Sequence, residues 1–338
     1  MAARPLGADL TRSVAAAGEI TGWGAALPPT VITNADLEAR LDTTDEWIVE
    51  RSGICERRIG GTVAGLAADA ARRALERAGI TPGEVDLLIL ATTTPEMTVP
   101  ATSAAVHHAL GLSGGAYDLN AACAGFVYAI VAAYGAIATG ARHVLVVGAD
   151  VLSSITDHED RSTAFLFADG AGAVVLAADG AEGLLASDLG TDGSARDLLY
   201  CPHGGTMKMA GQEVFRRAVR ATVSSASAAL DRAGITAQDV SLFVPHQANL
   251  RIIEAAASRL GIPMERTAVV LDRTGNTSNA SVPLALADAA DAGRIAPGDH
   301  LLLSGFGAGM SWATAVVRWG RGSTEPAEAR RPAEVTTR

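Results

Sequence analysis

The chain repeats a segment of its own sequence at long range. Residues 74–89 read ALERAGITPGEVDLLI and residues 229–244 read ALDRAGITAQDVSLFV; aligned at an offset of 155, they are identical at nine of sixteen positions. A second pair, GARHVLVVGAD at 140–150 and PGDHLLLSGFG at 297–307, lies at a nearly equal offset. Two similar segments at matching offsets indicate an internal duplication, which restricts the chain to folds built from two like halves.

Each half alternates helical and strand-like segments. The patterns predict helices at Leu66–Ala78, Phe126–Ala138, Val214–Ala233, Ile252–Leu260 and Pro283–Ala292, and strands at Val85–Leu90, His143–Val147, Ser241–Val244 and His300–Leu303. Apolar strands separated by helices predict an α/β fold whose sheets are covered on both faces. The almost uncharged helix Phe126–Ala138 favours burial on all sides, between two sheets.

The same patterns predict the domain organisation. A Gly- and Asp-rich stretch near residues 180–200 marks the boundary between the halves. We predict an N-terminal half at 18–185 and a C-terminal half at 186–319. The flanking segments 1–17 and 320–338 have little apolar content, which predicts a flexible extension and a disordered tail.

Composition and charge exclude several functions. The chain carries a net charge of −10 and 4% aromatic residues without a basic tract, so we expect no nucleic-acid binding. No run of about 18 apolar residues occurs, so we expect no membrane span. The N-terminus lacks the apolar core of a signal peptide, which predicts a cytoplasmic location. Three cysteines without CxxC spacing predict neither a zinc site nor a disulfide framework, but leave room for one reactive thiol.

Cys123 is the strongest candidate for that thiol. It lies in NAACAGF (120–126), at the start of the predicted helix Phe126–Ala138. Backbone N–H groups and the positive end of the helix dipole favour a thiolate there, and small neighbours leave room for a substrate. A buried, inert cysteine is the alternative, and the local sequence does not decide between the two.

Two polar residues of the second half stand in suitable places for a site. His246 lies in VPHQANLR (244–251), just after a predicted strand, where α/β sheets place ligand-binding groups. Asn276 lies in GNTSNASVP (275–283), and its amide can donate a hydrogen bond without carrying charge. Taken singly, each has a structural alternative: a hydrogen-bonded core histidine and a helix-capping asparagine.

Together these motifs resemble those of the β-ketoacyl-acyl carrier protein synthase III family. NAACAGF, VPHQAN and GNTSNAS occur in that order and are followed by GFGAG. The resemblance spans roughly residues 18–318 and includes DTTDEWIVERSGI (42–54), DRSTAFLFADGAGA (160–173) and MAGQEVF (209–215). It implies a thiolase-like, five-layered α-β-α-β-α sandwich of two duplicated halves, in agreement with the repeat.

The resemblance also implies a reaction. The family's enzymes condense an acyl-CoA primer with malonyl-acyl carrier protein at the start of fatty acid or polyketide synthesis, as homodimers without a metal or cofactor. Cys123 would carry the acyl group, and His246 and Asn276 would bind the malonyl thioester carbonyl, on which enolate charge develops. The backbone N–H groups of Cys123 and Ala308 would form a second oxyanion hole. The family usually has glycine at the Ala308 position, and a backbone donor survives that change.

Further contacts follow from the same resemblance. It implies CoA contacts by Trp47, Arg51 and Arg161, carrier-protein docking at Arg216, Arg251 and Arg259, and an acyl pocket that includes Val99, Met209 and Phe215. Val99 stands in a loop that closes the acyl pocket of the partner subunit, where short-primer members often carry phenylalanine. The smaller residue predicts room for longer or branched primers. Gln212 and Asn279 replace the family's usual asparagine and alanine, and the sequence assigns them no role.

Three alternatives remain open. A starter-unit synthase or acyltransferase of secondary metabolism would keep the same fold. The intact set of Cys123, His246 and Asn276 favours condensation over acyl transfer alone, which does not need the decarboxylation pair, but the active site does not reveal the pathway. A Cys-His hydrolase is disfavoured because it needs water near the thioester, whereas Cys123 has small apolar neighbours. A noncatalytic acyl-binding protein is disfavoured because all three polar site residues are present.

Overall fold

Residues 16–320 are described by a computed structural model of the chain. The predicted flexible segments therefore lie outside the described residues, except that residues 16 and 17 begin the first strand and that Gly320, at the start of the predicted tail, is buried. The strands are β1 Ala16–Ala26, β2 Thr30–Thr33, β3 Glu56–Ile59, β4 Leu87–Ala91, β5 Gly115–Leu119, β6 His143–Val151, β7 Asp169–Thr191, β8 Leu199–Tyr200, β9 Lys208–Met209, β10 Val240–Pro245, β11 His300–Gly307 and β12 Ser311–Arg318. The helices are α1 Asn34–Glu38, α2 Asp45–Ser52, α3 Val63–Ala78, α4 Thr102–Leu110, α5 Gly125–Ala138, α6 Gly211–Ala233, α7 Leu250–Leu260, α8 Leu271–Thr274 and α9 Ser281–Asp291.

The main sheet runs through both halves in the order β10-β11-β12-β7-β6-β4-β5, and β1 pairs with β7. The long strand β7 connects the halves: its first part pairs with β6 and β1, and its last part pairs with β12. The predicted boundary between residues 185 and 186 lies inside this strand. The backbone ladder therefore passes from one half to the other without a linker.

The two halves have the same local order of strands. In the first half, β5 and β4 are parallel, β4 and β6 are parallel, and β6 and β7 are antiparallel. In the second half, β10 and β11 are parallel and β11 and β12 are antiparallel, which repeats the β4-β6-β7 arrangement. A parallel bridge between Phe243 and Thr267 takes the place that β5 has beside β4. The repeated segment ends α3 at Gly79 and α6 at Gly234, both left-handed at φ 68°. The predicted duplicated α/β fold is confirmed.

The side chains of the strands face helices on both sides of the sheet, which gives five alternating layers of helices and strands. Successive side chains of a strand face opposite sides, so Ile89 of β4 faces α5 and α9, whereas Leu88 and Leu90 face α3 and α4. On the far side, α6 and α7 cover the outer face of the second half. The central helix α5 packs between strands of both halves, and each of its buried large apolar side chains contributes about 1.5–3 kcal/mol. It is not buried on all sides as predicted, because Tyr128 and Val131 are half-buried and Gly135 is exposed.

Two helices start earlier than predicted because polar side chains cap them. The apolar pattern begins at Leu66, but α3 starts at Val63, where Thr62 accepts a hydrogen bond from the Gly65 N–H. Likewise α7 starts at Leu250 after its cap Asn249. Among the helices of residues 16–320, none is long and apolar enough to cross a membrane.

Candidate active site

A cavity of about 920 Å³ brings together most of the residues predicted for the site. The predicted residues that line it are Cys123, His246, Asn276, Ala308, Trp47, Arg51, Arg161, Met209, Phe215, Arg216 and Arg251. Two predicted residues do not line it. Val99 is 81% exposed in the loop before α4, and Arg259 is an exposed residue near the end of α7.

The catalytic candidates come from loops that follow strands or precede central helices. Cys123 stands just before α5, His246 follows β10, and Asn276 follows α8. The β11 strand lies against the cysteine loop so closely that a Cβ at Gly307 would overlap the backbone nitrogen of Cys123. Glycine at this position therefore lets the two halves approach each other at Cys123.

Backbone strain is concentrated at the same place. Among the described residues, the non-glycine residues with positive φ are Ala122 (49°), Ser278 (50°) and Met310 (49°). Ala122 precedes Cys123, Ser278 contacts it, and Met310 ends the turn that begins at Ala308. Left-handed conformations of such residues cost on the order of 1 kcal/mol each and cluster at functional sites. The strain supports this cavity as the site.

The Cys123 thiol is neutral at rest. Burial raises its pKa from 9.0 to about 12, although Ser278 Oγ donates a hydrogen bond to Sγ at 3.3 Å, which lowers it. A helix end contributes about 0.3–1 kcal/mol, less than one pKa unit, which is smaller than the net rise of the pKa that burial causes here. The expectation of a thiolate at the start of α5 is therefore wrong, because desolvation outweighs the helix dipole.

We expect the rate at which iodoacetamide alkylates Cys123 to rise with pH up to and beyond pH 9. Only the thiolate reacts, and the pKa of about 12 keeps its fraction small at neutral pH. Peptide mass spectrometry follows Cys123 separately from Cys55 and Cys201, and circular dichroism at each pH verifies the fold. A plateau of the rate at pH 7–8 would contradict a raised pKa.

His246 and Asn276 are both uncharged polar groups on the cavity wall. Burial lowers the pKa of His246 to about 4, so its imidazole is neutral at neutral pH. The Asn276 Oδ1 accepts the backbone N–H of Ser278 at 3.0 Å. This bond occupies the carbonyl end of the amide and leaves the Nδ2 group available for an oxygen atom of a substrate.

Asn279 joins the two halves beside the cysteine. Its backbone N–H and its Nδ2 both donate to Oδ2 of the fully buried Asp150 in β6, at 3.0 and 2.8 Å. The other carboxylate oxygen of Asp150 accepts hydrogen bonds from Thr92, Thr93 and Thr94. Asn279 therefore fixes the loop of Asn276 to the first half, a role that its sequence did not reveal. Gln212 lies on the cavity wall, and nothing else in the structure explains it.

The mouth of the cavity combines an aromatic ring with two guanidinium groups. The Arg161 and Arg51 guanidinium carbons lie 5.0 and 5.6 Å from the Trp47 ring centre. The backbone N–H of Trp47 donates to its helix cap Thr44 at 3.2 Å, which fixes the start of α2. Arginine suits phosphate groups and the indole suits a planar ring, so this mouth fits a nucleotide-like ligand.

A second group of basic residues borders the same opening. Arg216 and Arg251 flank Phe215, and the Arg251 guanidinium carbon lies 5.9 Å from that ring. Arg259 is eight residues further along α7, about 12 Å away. In residues 16–320, no group of three or more His, Cys, Asp or Glu side chains is arranged to hold a metal ion.

Comparison with known proteins gives consistent similarities over most of the chain. Residues 230–319 match the family model described as 3-oxoacyl-[acyl-carrier-protein] synthase III C terminal, and residues 117–193 match the model 3-oxoacyl-[acyl-carrier-protein] synthase III. The beta-ketoacyl-[acyl-carrier-protein] synthase III of Erythrobacter litoralis is 50% identical over 316 residues, which cover 89% of this chain and 98% of that protein. The enzyme of the same name from Rhizobium meliloti is 47% identical over 318 residues, with coverages of 89% and 98%.

Solved structures show the same similarity. The 3-oxoacyl-[acyl-carrier-protein] synthase III of Aquifex aeolicus superposes with a TM-score of 0.88 at 43% identity, covering 89% of this chain and 100% of that one. A priming β-ketosynthase from the R1128 polyketide pathway gives a TM-score of 0.86 at 39% identity, with coverages of 90% and 97%. Sequence and fold therefore point to the same relatives.

Proposed function

Because the chain belongs to the 3-oxoacyl-[acyl-carrier-protein] synthase III family and is thus a condensing acyltransferase, we propose that Cys123 carries the acyl group and that His246 and Asn276 bind the malonyl thioester. The observation that carries this assignment is that all three residues line the same cavity. The nucleophile comes from the first half and the two donors from the second, so the duplicated fold assembles the site at its centre.

The first half-reaction is transfer of an acyl group to Cys123. The sulfur of Cys123 attacks the acyl-CoA carbonyl, the bond to the CoA sulfur breaks, and the thiol proton ends on CoA. The Ser278 hydroxyl, which donates to Sγ, stabilises negative charge on the sulfur as it develops. The backbone N–H groups of Cys123 and Ala308 are the oxyanion donors for the tetrahedral intermediate.

The second half-reaction is decarboxylative condensation. Malonyl-carrier protein loses CO₂, and the electron pair of the broken C–C bond becomes an enolate whose oxygen accepts hydrogen bonds from His246 and Asn276. The enolate carbon then attacks the acyl-Cys123 carbonyl, which forms the β-ketoacyl carrier protein and releases the Cys123 thiolate to take up a proton. Two neutral donors suit this step, because they strengthen their hydrogen bonds as charge develops on the oxygen.

The substrates enter through the mouth of the cavity. Trp47, Arg51 and Arg161 hold the CoA nucleotide, whose ring and phosphates match their chemistry. Arg216 and Arg251 receive the acidic carrier protein at the same opening. Arg259 contributes at longer range, since it lies outside the cavity.

We expect Arg251→Glu to raise the KM for malonyl-carrier protein about tenfold at low salt. The change replaces an attractive charge at the opening by a repulsive one, and the effect weakens as salt screens it. Steady-state kinetics at two ionic strengths measure the change. Arg72→Glu is the matched control, because Arg72 lies on α3 in the outer layer of the other half. An unchanged KM in Arg251→Glu would remove this docking site.

The enzyme works as a homodimer built on the β5 edge. Among the described strands β5 pairs only with β4, and its Tyr117 is 39% exposed. The loop before α4 reaches this edge, where Asp118 of β5 accepts the backbone N–H groups of Thr102 and Ser103. Val99 in that loop is 81% exposed and stands free to close the acyl pocket of a second copy, in keeping with a preference for longer or branched primers.

The proposed function is tested by mass spectrometry of the intact protein. The protein is incubated with a panel of acyl-CoAs and then with malonyl-carrier protein. Acyl mass that appears on the protein and is then lost into β-ketoacyl carrier protein supports the mechanism and names the primer. Acylation without a β-keto product would point to an acyltransferase that uses another acceptor. Because the chain is similar to a polyketide priming enzyme as well as to fatty acid enzymes, the primer and the carrier protein that it accepts would identify its pathway. The cytoplasmic location expected from the sequence is part of the same proposal.

A further inference from the structure

A serine hydroxyl lies directly behind the imidazole of His246. Ser281 is the first residue of α9 and has no exposed surface. Its Oγ lies 2.6 Å from Nδ1 of His246 and accepts the backbone N–H of Gln247 at 3.2 Å. These are the hydrogen bonds that Ser281 Oγ makes within residues 16–320, so the imidazole and one amide share this hydroxyl.

The backbone N–H of Gln247, which donates to Ser281, is held in place by the hydrogen bonds of the Gln247 side chain. The buried Gln247 side chain donates from Nε2 to the carbonyls of Pro245 and Ala268, at 2.7 and 3.1 Å. Its Oε1 accepts the Val270 N–H at 2.9 Å. The backbone N–H of Gln247 is therefore fixed on one lone pair of the Ser281 oxygen. This leaves the hydroxyl proton and the second lone pair of that oxygen for the hydrogen bond with His246 Nδ1.

The hydroxyl has one proton to donate, and its orientation sets that of the imidazole. Within the described residues, the acceptor in reach of the Ser281 hydroxyl is Nδ1 of His246. If Nδ1 carried a proton, it would donate to Ser281 and leave the hydroxyl hydrogen buried without an acceptor, which is costly. With Nδ1 as the acceptor, the neutral imidazole carries its only proton on Nε2.

We propose that Ser281 is a positioning residue that holds His246 as the Nε2–H tautomer, so that His246 donates a hydrogen bond to the malonyl thioester oxygen. This inference rests on the proposed function of His246. The tautomer matters because burial keeps the imidazole neutral, so that only one of its two nitrogens can donate. With the other tautomer, Nε2 would present a lone pair to the enolate oxygen and repel it.

The inference is tested with Ser281→Ala and with Ser281→Thr, which retains the hydroxyl. We expect Ser281→Ala to decarboxylate malonyl-carrier protein about 10- to 100-fold more slowly, while acylation of Cys123 by acyl-CoA stays within about twofold of wild type. Ser281→Thr restores most of the decarboxylation rate. The acylation readout separates positioning from general damage to the fold, since acylation uses the same cavity without His246.

The tautomer itself is read by nitrogen-15 NMR of the imidazole. In the wild-type protein we expect a protonated Nε2 and an unprotonated Nδ1, and in Ser281→Ala a mixture of the two forms. A protonated Nδ1 in the wild type would overturn the inference, as would a wild-type decarboxylation rate in Ser281→Ala. The His246→Ala variant separates failure of the inference about Ser281 from failure of the proposed function of His246. If His246→Ala decarboxylates malonyl-carrier protein as fast as wild type, the proposed function of His246 fails, independently of the result for Ser281.

Discussion

Serine in place of Cys123 should abolish both the acyl adduct and the β-ketoacyl product. The hydroxyl of serine is a far weaker nucleophile than a thiol. Within residues 16–320 the side chain of Cys123 is hydrogen-bonded to Ser278, which is a donor, so no base is bonded to it that could activate a serine in its place. Loss of a covalent nucleophile lowers turnover on the order of 10⁴-fold or more. Intact-protein mass spectrometry detects the adduct, and analysis of the carrier protein detects the product.

Cys201→Ser is the matched control for this variant. Cys201 lines the same cavity and its thiol donates to backbone carbonyls rather than receiving a hydroxyl proton. It should keep both the adduct and the product. An acyl adduct that persists in Cys123→Ser and disappears in Cys201→Ser would move the nucleophile to Cys201 and contradict the proposed mechanism.

Replacing either His246 or Asn276 by alanine should slow decarboxylation by about 10²–10³-fold and leave Cys123 acylation nearly unchanged. Each variant removes one donor to the enolate oxygen, and such a donor lowers the barrier by about 2.7–4 kcal/mol. Acylation of Cys123 does not need these donors, because the backbone N–H groups of Cys123 and Ala308 form the oxyanion hole for that step. Single-turnover acylation and steady-state release of CO₂ measure the two steps separately.

The double variant shows whether the two residues act on one oxygen. If they bind it together, the double variant should lose less than the product of the two single losses, because one donor alone already binds poorly. Parallel losses of acylation and decarboxylation in the single variants would mean that they distort the cavity, and would refute the assignment of separate steps.

Motifs led to residues that line one cavity, because Cys123 and His246 each lie at the end of an element that the sequence marks clearly. Cys123 directly precedes an apolar helix, and His246 directly follows an apolar strand. Parallel strands and central helices of a duplicated α/β fold bring such ends together. The repeat and the alternation of helices and strands were therefore predictable from order and periodicity, whereas the five layers and the grouping of the site residues followed from the family resemblance.

Features that depend on distant residues were not predictable. The protonation state of Cys123 is set by burial under both halves, which its small neighbours do not indicate. The bond between Asn279 and Asp150 joins residues 129 positions apart, and no motif connects them. Helix starts were missed where a single polar cap, such as Thr62, extends a helix beyond its apolar pattern. The catalytic, CoA-binding, carrier-protein and acyl-pocket assignments all stay predictions, and Arg259 and Val99 also lie outside the cavity that the other predicted residues line.

The left-handed residues Ala122 and Ser278 occupy matching positions in the repeat, 156 residues apart, each just before a central helix. The duplication thus produced two copies of one strained elbow that face each other at the centre of the molecule. The two copies now differ: one carries the Cys123 thiol, and the other carries the Ser278 hydroxyl that donates to this thiol and lies beside the Asn276 amide. Neither copy retains a spare set of reactive groups, so damage to one elbow cannot be compensated by its counterpart.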